Sequence, residues 1–325
     1  MANIKDVAER SGISVTTVSR VLNNRGYISE KTRQKVYKAI EELNYQPNEV
    51  ARALLKRKSN LIGLLVPNVS HPFFSELSNH IENCAYEMGY KIMLCNTCQD
   101  SKKEKNYIDT LNRNQVDGII MGSHSLETSF YSNLNIPVVA VDRILSDNIP
   151  YVTSDNYHGG TLATNLLIDK GCSCLAHISG PLILNTPANK RCESFIDAAK
   201  SRNVPYTVVE TKLNNFNKIE YLKLIYSLFE QHPKIDGIFA SSDLIAACIV
   251  EVSESLGKRI PEDLKIVGFD DTYIADIITP SLTTIRQPIK KVGELAVKLL
   301  INLINGEDVE KVNVLPIELI ERKTT

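Results

Sequence analysis

The sequence has no long hydrophobic run and no spacing of cysteines that would indicate a disulfide framework. No uncharged apolar stretch reaches the roughly 18 residues that a membrane helix needs, and the segment MANIKDVAER lacks the apolar core of a signal peptide. The cysteines number seven, which is odd. Cys95 and Cys98 form a lone C-x-x-C, which we interpret as two reduced thiols rather than a redox or metal pair. These absences predict a cytoplasmic protein without a membrane segment.

Motifs of common enzyme classes are also absent. The sequence contains no G-x-G-x-x-G dinucleotide loop, no phosphate-binding P-loop, no H-E-x-x-H and no G-x-S-x-G nucleophile elbow. A sugar-modifying or nucleotide-dependent enzyme is therefore an alternative without a motif to support it. We predict a protein that is not an enzyme and that needs no cofactor and no metal.

Positive charge is concentrated at the N-terminus. Residues 1–60 contain 12 Lys and Arg against 6 Asp and Glu, whereas the remainder contains 25 basic and 32 acidic residues. A basic segment on a larger acidic body indicates a surface for a polyanion. Charge alone would equally fit a solvated helical face. The order of residues in this segment is therefore needed to distinguish such a face from a surface that binds a polyanion.

Three short helices are predicted in the basic segment. The first covers residues 3–11 and is broken at Gly12, Ser14 is a natural N-cap for the second, SVTTVSRVLNN, and the third follows Ser29. Each helix has an apolar stripe at helical spacing. The stripes comprise Ile4, Val7, Ala8, Val18, Val21, Leu22, Val36, Ala39, Ile40 and Leu43. Two short helices joined by a tight turn and backed by a third form a helix-turn-helix.

The run IKDVAERSGISVTTVSRVLNN, continued by ISEKTRQKV and LNYQPNEVARAL, resembles the DNA-binding head of the lactose-repressor (LacI/GalR) family. The resemblance implies that the second helix enters the major groove of double-stranded DNA and places Val15, Thr16 and Arg20 at base edges. An arginine there can donate two hydrogen bonds to guanine. The positions that the resemblance places at phosphates are Thr17, Ser19 and Asn23.

A hinge helix is predicted over residues 47–59. Pro47 ends the third helix of the head, and Asn48 can cap a new helix. About nine helical residues are too few to be stable alone in water, so helix formation must depend on packing against another surface. The resemblance implies that two hinge helices of a dimer pair in the minor groove, where Leu54 wedges between base pairs. A plain charged linker is the alternative.

From residue 60 to residue 325 the pattern changes to short apolar runs that alternate with amphipathic stretches. The runs are LIGLLV, KIMLC, GIIMG, PVVAV, LAHIS, DGIFA and KIVGF, and the predicted helices are 74–88, 103–113, 160–170, 190–201, 218–231 and 243–256. This alternation predicts parallel sheets with helices on both faces. The predicted domains are thus a helix-turn-helix head over 1–46, the hinge over 47–59 and a body over 60–325.

The body resembles the type I periplasmic sugar-binding proteins. The resemblance is carried by HPFFSEL, VDR, SDNYHGG, PANKRCESF, ASSDLIA, VGFDDT and TTIRQP, all expected at carboxyl ends of strands, where open α/β sheets bind ligands. It implies two doubly wound parallel-sheet lobes joined by three crossovers. The first lobe is expected near 60–158 plus 288–313, and the second near 159–284 plus the C-terminal strand.

These motifs supply a candidate effector site for a sugar. The candidate residues are His71, Phe73, Phe74, Asp142, Arg143, Asn156, Arg191, Asp243, Asp270 and Gln287. Phenylalanines can stack on the apolar face of a sugar ring, and mixed donors and acceptors suit a neutral polyol. Alternatives remain open: Asp142 and Arg143 could form an ion pair between lobes, Asp270 could cap a loop, and one of the two phenylalanines is expected to face the core.

The resemblance covers essentially the whole chain and is strongest to the sucrose-operon repressors of Gram-positive bacteria, with ribose-operon repressors next. It implies a repressor that binds a palindromic operator as a homodimer and is released by a small sugar, with sucrose or fructose favoured. His71 and Ser242 stand where the ribose-binding pattern has asparagines, although a ribose-responsive repressor remains the alternative. A sugar-binding receptor without a regulatory role is a further alternative. No heptad tail follows residue 313, which favours a dimer.

Overall fold

The computed structural model describes residues 2–46, 58–98, 100–123, 131, 134–213 and 216–325. The chain divides into two compact units, a head of Met1–Ser59 and a body of Asn60–Thr325. Among the described residues no helix combines the length and the hydrophobicity needed to cross a membrane. All seven cysteines are free thiols.

The head consists of α1 (Ile4–Ser11), α2 (Val15–Leu22) and α3 (Glu30–Glu42). Ser14 and Ser29 cap α2 and α3, each with a side-chain oxygen that accepts a hydrogen bond from a backbone N–H three residues later. The three helices enclose a small apolar core of Val7, Ala8, Val18, Val21, Val36 and Ala39. The predicted helix-turn-helix and the predicted Ser14 cap are confirmed, and Ser29 is a second serine cap.

The first lobe of the body contains a six-stranded sheet in the order β11-β5-β4-β3-β1-β2, and all of its neighbouring strands are parallel. Its strands are β1 (Leu61–Val66), β2 (Lys91–Asn96), β3 (Gly118–Met121), β4 (Val138–Val141), β5 (Tyr151–Ser154) and β11 (Val312–Leu315). The helices α4 (Pro72–Glu87) and α11 (Ile289–Ile304) share one apolar core, and α5 (Ser101–Arg113) contributes to the other.

The second lobe repeats this plan with the order β12-β10-β9-β8-β6-β7. Its strands are β6 (Leu175–Ser179), β7 (Tyr206–Glu210), β8 (Gly237–Ala240), β9 (Lys265–Asp270), β10 (Thr283–Arg286) and β12 (Glu318–Ile320), the last antiparallel to β10. Its helices are α6 (Asn156–Asp169), α7 (Asn189–Ser201), α8 (Lys218–Gln231), α9 (Asp243–Ser255) and the short α10 (Tyr273–Ile277). Helices α6 and α7 cover one face, and α8 and α9 the other. The predicted fold class is confirmed.

The chain crosses between the lobes at three places. It leaves the first sheet after β5 and enters the second lobe with α6, returns between β10 and α11, and crosses again between β11 and β12. The ends of the strands that carry the predicted site residues therefore face each other across the space between the two sheets. The first two crossings lie beside the candidate site, since Asn156 contacts Arg191 and Gln287 lines the cavity.

Gly160 allows α6 and α7 to approach closely. A Cβ atom at this position would lie 2.1 Å from Ser194 Oγ and 2.7 Å from the carbonyl oxygen of Arg191. Glycine to alanine within a helix normally gains about 1 kcal/mol of helix propensity, but here the added atom meets backbone that cannot rotate away. The close approach therefore fixes the position of α7, which carries Arg191.

We expect Gly160→Ala to lower the free energy of unfolding by about 1–3 kcal/mol, as overpacking does elsewhere. Urea denaturation followed by circular dichroism measures the change. The matched control is Gly180→Ala, because Gly180 has no atom within 4 Å of its added Cβ, and it should stay within about 0.5 kcal/mol of the wild type. An equal free energy of unfolding for the two variants would show that α7 can shift to accommodate the added methyl group without loss of stability.

Candidate functional site

Helix α2 presents a polar and exposed face away from the core of the head. Val18 and Val21 are buried, whereas Val15, Thr16 and Arg20 are exposed. The base-reading trio expected from the sequence therefore lies together on the accessible face of the helix. The remaining predicted DNA-contacting positions of the helix, Thr17, Ser19 and Asn23, are partly buried.

Two of the predicted phosphate-contacting side chains also support the ends of α2. The Thr17 hydroxyl lies 2.9 Å from the Ser14 hydroxyl at the N-terminus, and Asn23 Nδ2 donates to the carbonyl oxygen of Ser19, 2.8 Å away, at the C-terminus. Both are local contacts that hold the helix ends. Leu54 and residues 47–57 of the predicted hinge over 47–59 lie outside the described residues.

A cavity lies between the two lobes, and such clefts between lobes or domains are common places for small-molecule sites. Side chains of both lobes line it. The predicted effector residues among them are His71, Phe73, Phe74, Asp142, Arg191, Asp270 and Gln287. Seven of the ten candidates are thus brought together.

Aromatic rings form one wall of the cavity, with Phe73, Phe74 and His71 from the first lobe and Phe216 from the second. The ring of Phe74 lies 5.1 Å from that of Phe73 and 5.7 Å from that of His71, and Phe216 approaches His71 to 5.3 Å, all with edge-to-face geometry. Phe73 and Phe74 each line the cavity and also pack into the core of the first lobe. Aromatic surface of this kind suits the apolar face of a sugar ring.

Arg191 lies at the charged centre of the cavity. Its Nε donates to Asn156 Oδ1 at 2.6 Å, one terminal nitrogen donates to the carbonyl oxygen of Ser241 at 2.8 Å, and the same nitrogen lies 4.0 Å from Asp270 Oδ1. The guanidinium carbon stands 3.5 Å from the centre of the Phe269 ring. Arg191 is therefore fixed on several sides before any ligand arrives.

Burial controls the ionisation of the groups around Arg191. It raises the pKa of Asp270 well above the ordinary carboxyl range, and Arg191 only partly offsets this rise. It likewise raises the pKa of Asp142, opposed by Arg191 and by a hydrogen bond from Thr153. Burial, assisted by the positive charge of Arg191, lowers the pKa of His71 to about 4, so His71 is neutral near pH 7. The cavity therefore combines one fixed cation with acidic and neutral polar groups.

Two buried atoms in this cavity have no hydrogen-bond partner among the described residues. They are Nδ1 of His71 and Oε1 of Gln287. The other end of the Gln287 amide, Nε2, donates to Asp270 Oδ1 at 2.7 Å. Because buried polar atoms normally have partners, the two atoms mark positions where a ligand can make hydrogen bonds.

Three of the predicted effector residues are placed elsewhere. Arg143 donates to the carbonyl oxygen of Ser123 and lies 3.9 Å from Glu104, so it forms a buried ion pair inside the first lobe. The alternative of an ion pair between Arg143 and Asp142 is therefore wrong, because Arg143 pairs with Glu104 instead. The backbone of Asp142 has φ +50°, and Asp142 lines the cavity while Arg143 contacts the interior of its own lobe.

Asn156 and Asp243 stand behind the cavity wall. Asn156 contacts Arg191 through its side chain. Asp243 accepts hydrogen bonds from the backbone N–H of Thr272 at 2.7 Å and from the Thr284 hydroxyl at 2.6 Å. The prediction of direct contact with an effector is therefore corrected to a supporting position for Asn156 and to an internal loop anchor for Asp243.

Several lining residues were not predicted from the sequence. Phe216 lies between a polar loop and α8, so no periodic pattern marked it. Ser241, whose carbonyl oxygen holds Arg191, directly precedes the Ser242 that caps α9. No side-chain pattern could have identified Ser241, because it contacts Arg191 through its backbone carbonyl oxygen.

Comparison with known proteins identifies both parts of the chain. Residues 3–48 match the bacterial regulatory proteins of the lacI family, and residues 164–325 match a periplasmic binding protein-like domain. The chain is 44% identical over its full length to the ribose operon repressor of Halalkalibacterium halodurans, of which 97% is covered. The chain belongs to the lacI family of bacterial regulatory proteins.

Two further relatives of this lacI-family protein are similar over most of its length. The sucrose operon repressor of Streptococcus mutans is 40% identical over 98% of each chain. A periplasmic binding protein/LacI transcriptional regulator from Alkaliphilus metalliredigens, solved as a complex with D-xylulofuranose, is 37% identical with a TM-score of 0.77 and covers 82% of this chain and 99% of its own. The curated relatives include both kinds of operon repressor that the sequence motifs resemble.

Proposed function

We propose that this protein represses a sugar-utilisation operon and is released from its operator by a small neutral sugar. The observation that carries the proposal is the cavity between the lobes, where Asp142 of the first lobe and Arg191 and Asp270 of the second line one aromatic-walled space. Paired acceptors and donors beside aromatic rings match the hydroxyls and the apolar face of a sugar.

Release of the repressor from its operator would follow from contact of the sugar with both lobes. A ligand shifts a conformational equilibrium only through a difference in its contacts with the two states. A sugar that touches Asp142 on one lobe and Asp270 on the other makes such contacts in a closed arrangement. We infer that closure alters the contacts of the first lobe across the dimer and weakens the grip of the predicted hinge on DNA.

The exposed face of α2 supports operator binding. Arg20 can donate two hydrogen bonds to a guanine, and Thr16 and Val15 can contact a base edge or a thymine methyl group. We expect two heads related by a twofold axis in a homodimer, and such heads read inverted half-sites, so the operator is a near-palindrome.

For the effector, we favour fructose or sucrose over ribose. The related regulator from Alkaliphilus metalliredigens was solved with a ketose in its furanose form, and fructose and the fructosyl unit of sucrose share that chemistry. His71 and Ser242 offer an imidazole and a hydroxyl at the cavity wall, where the ribose-binding pattern would have carboxamides. The 44% identity to a ribose operon repressor keeps ribose as the alternative.

The test is calorimetric titration of the full chain with fructose, sucrose and ribose, followed by operator binding with and without the sugar that binds. The operator is selected from random duplexes or taken from the DNA upstream of the adjoining genes. We expect one sugar to bind and to lower operator affinity. Binding of sugar without binding of any duplex would favour a receptor over a repressor, and sugar turnover would indicate an enzyme.

We expect Arg20→Ala to cost about 1–3 kcal/mol of discrimination between operator and random DNA, because a bidentate contact to guanine is lost. Fluorescence anisotropy on both duplexes at fixed salt measures it. Arg113→Ala is a matched control that removes the same charge from an exposed site on α5 in the body. Equal losses on operator and on random DNA would show that Arg20 contacts phosphate only.

A further inference from the structure

The first crossing between the lobes lies beside the charged centre of the cavity. Strand β5 ends at Ser154 in the first sheet, and α6 begins at Asn156 on the second lobe. The backbone N–H of Asp142 donates to the carbonyl oxygen of Val152, 3.0 Å away. This pairing places Asp142 next to Thr153, one residue before the end of β5.

Hydrogen bonds connect this crossing to both lobes. The Thr153 hydroxyl donates to Asp142 Oδ1 at 2.5 Å and accepts from Asn156 Nδ2 at 3.1 Å. The oxygen of the same Asn156 amide accepts from Arg191 Nε at 2.6 Å. All four side chains are buried, with 3–6% of their surface exposed. One relay therefore runs from the Asp142 carboxylate in the first lobe to the Arg191 guanidinium in the second.

Each group in the relay has its role set by its neighbour. The carboxylate of Asp142 only accepts, which obliges the Thr153 hydroxyl to donate to it and to accept from Asn156. Asn156 must then donate through its nitrogen, which leaves its oxygen for Arg191. The chain of donors and acceptors thus has a single consistent direction, and its two charged ends are the groups that line the cavity.

We propose that Thr153 and Asn156 are positioning residues that fix the effector-binding groups of both lobes to the first crossing. Neither residue lines the cavity among the described residues; each acts through Asp142 or Arg191. This inference rests on the proposed function, since it concerns the same sugar site. A change in the angle between the lobes at residues 154–156 would then move Asp142 and Arg191 together.

The test replaces the Thr153 hydroxyl while keeping its shape. Thr153→Val removes the hydrogen bonds but suits a β-strand, and Thr153→Ser keeps the hydroxyl and removes only the methyl group. Titration with fructose, sucrose and ribose should show sugar binding about tenfold weaker for Thr153→Val, since a hydrogen bond to a charged group is lost. Thr153→Ser should bind within about twofold of the wild type.

The pH dependence of sugar affinity separates positioning from mere packing. The Thr153 hydroxyl lowers the pKa of Asp142, so its removal raises that pKa further. If sugar hydroxyls donate to the Asp142 carboxylate, affinity falls as the pH falls through this pKa, and the fall begins at higher pH in Thr153→Val. Arg191, Asp270 and His71 face the same cavity and are unchanged in both variants, so only the Asp142 contribution should move.

Asn156→Ala interrupts the relay at its other end and keeps the inference testable if Thr153→Val does not fold. It should also weaken sugar binding about tenfold, and the double variant should be little worse than the weaker single variant, because one relay is broken only once.

The proposal is overturned if Thr153→Val and Asn156→Ala bind sugar as the wild type does. It is also overturned if Thr153→Ser is as weak as Thr153→Val, because the methyl group would then be responsible. A wild-type chain that binds none of the three sugars would instead contradict the proposed function, together with the inference that rests on it.

Discussion

Arg191→Met is expected to lower the free energy of unfolding by about 3–5 kcal/mol at neutral pH and to abolish measurable sugar binding. Arg191 partly offsets the rise in pKa that burial imposes on Asp142 and on Asp270. Methionine fills similar volume and keeps contact with Phe269, but it leaves the two acids without their cation. The loss therefore comes from unpaired buried charge rather than from a cavity.

The pH dependence of this loss tests its cause. Without Arg191 the pKa values of Asp142 and Asp270 rise further above their unfolded values, which favours their protonated forms in the folded state. The variant should therefore recover stability relative to the wild type as the pH falls from 7.5 to about 5. Urea denaturation at several pH values measures it. Arg259→Met, at an exposed ion pair with Asp263, is the control and should cost less than about 1 kcal/mol. A pH-independent loss would contradict the electrostatic cause.

Asp270→Asn is expected to weaken sugar binding about 10- to 150-fold and to leave a repressor that no longer responds to sugar, because charge-assisted hydrogen bonds to sugar hydroxyls are lost. The amide keeps the size of the side chain and its contact with Gln287. Operator affinity measured without sugar reports on the distant head and should persist. Calorimetry and operator titrations on the same preparation measure both properties.

Asp243→Asn is the matched control for Asp270→Asn. It removes the same charge from a buried carboxylate that contacts Thr272 and Thr284, so stability should fall while sugar affinity remains close to that of the wild type. Thermodynamic linkage adds a second check, because operator DNA must weaken sugar binding by the factor by which sugar weakens operator binding. Normal sugar affinity in Asp270→Asn would remove Asp270 from the site.

The head could be predicted closely because its signals are local. Ser14 and Ser29 are helix caps that act over three residues, and the apolar stripes need only the helical period. In the body, the seven strands β1–β4, β6, β8 and β9 were recognised from their apolar runs. β7 was missed because its residues are only partly buried at a sheet edge, and β5 was missed because half of its sequence, YVTS, is polar.

Most residues of the candidate site could be predicted from the sequence, but the direction in which each side chain points could not. Motifs at strand ends identified Asp142, Arg191 and Asp270, since strand ends of parallel sheets meet at one edge. Arg143, the neighbour of Asp142, was wrongly assigned because adjacent side chains point to opposite sides, and the sequence does not indicate which of the two enters the cavity. The role of Thr153 depends on a register between β4 and β5 that no local pattern contains.

The interleaving of the two lobes also sets an order for folding during synthesis. Helix α11 and strand β11 complete the first lobe but are made after nearly all of the second. A chain that has been synthesised only to residue 288 lacks Val292, Ala296 and Leu300, which pack against Leu77 and Ile81 of α4. We therefore expect the first lobe to keep an uncovered apolar face until the last 40 or so residues have been synthesised, whereas the head and much of the second lobe can fold earlier.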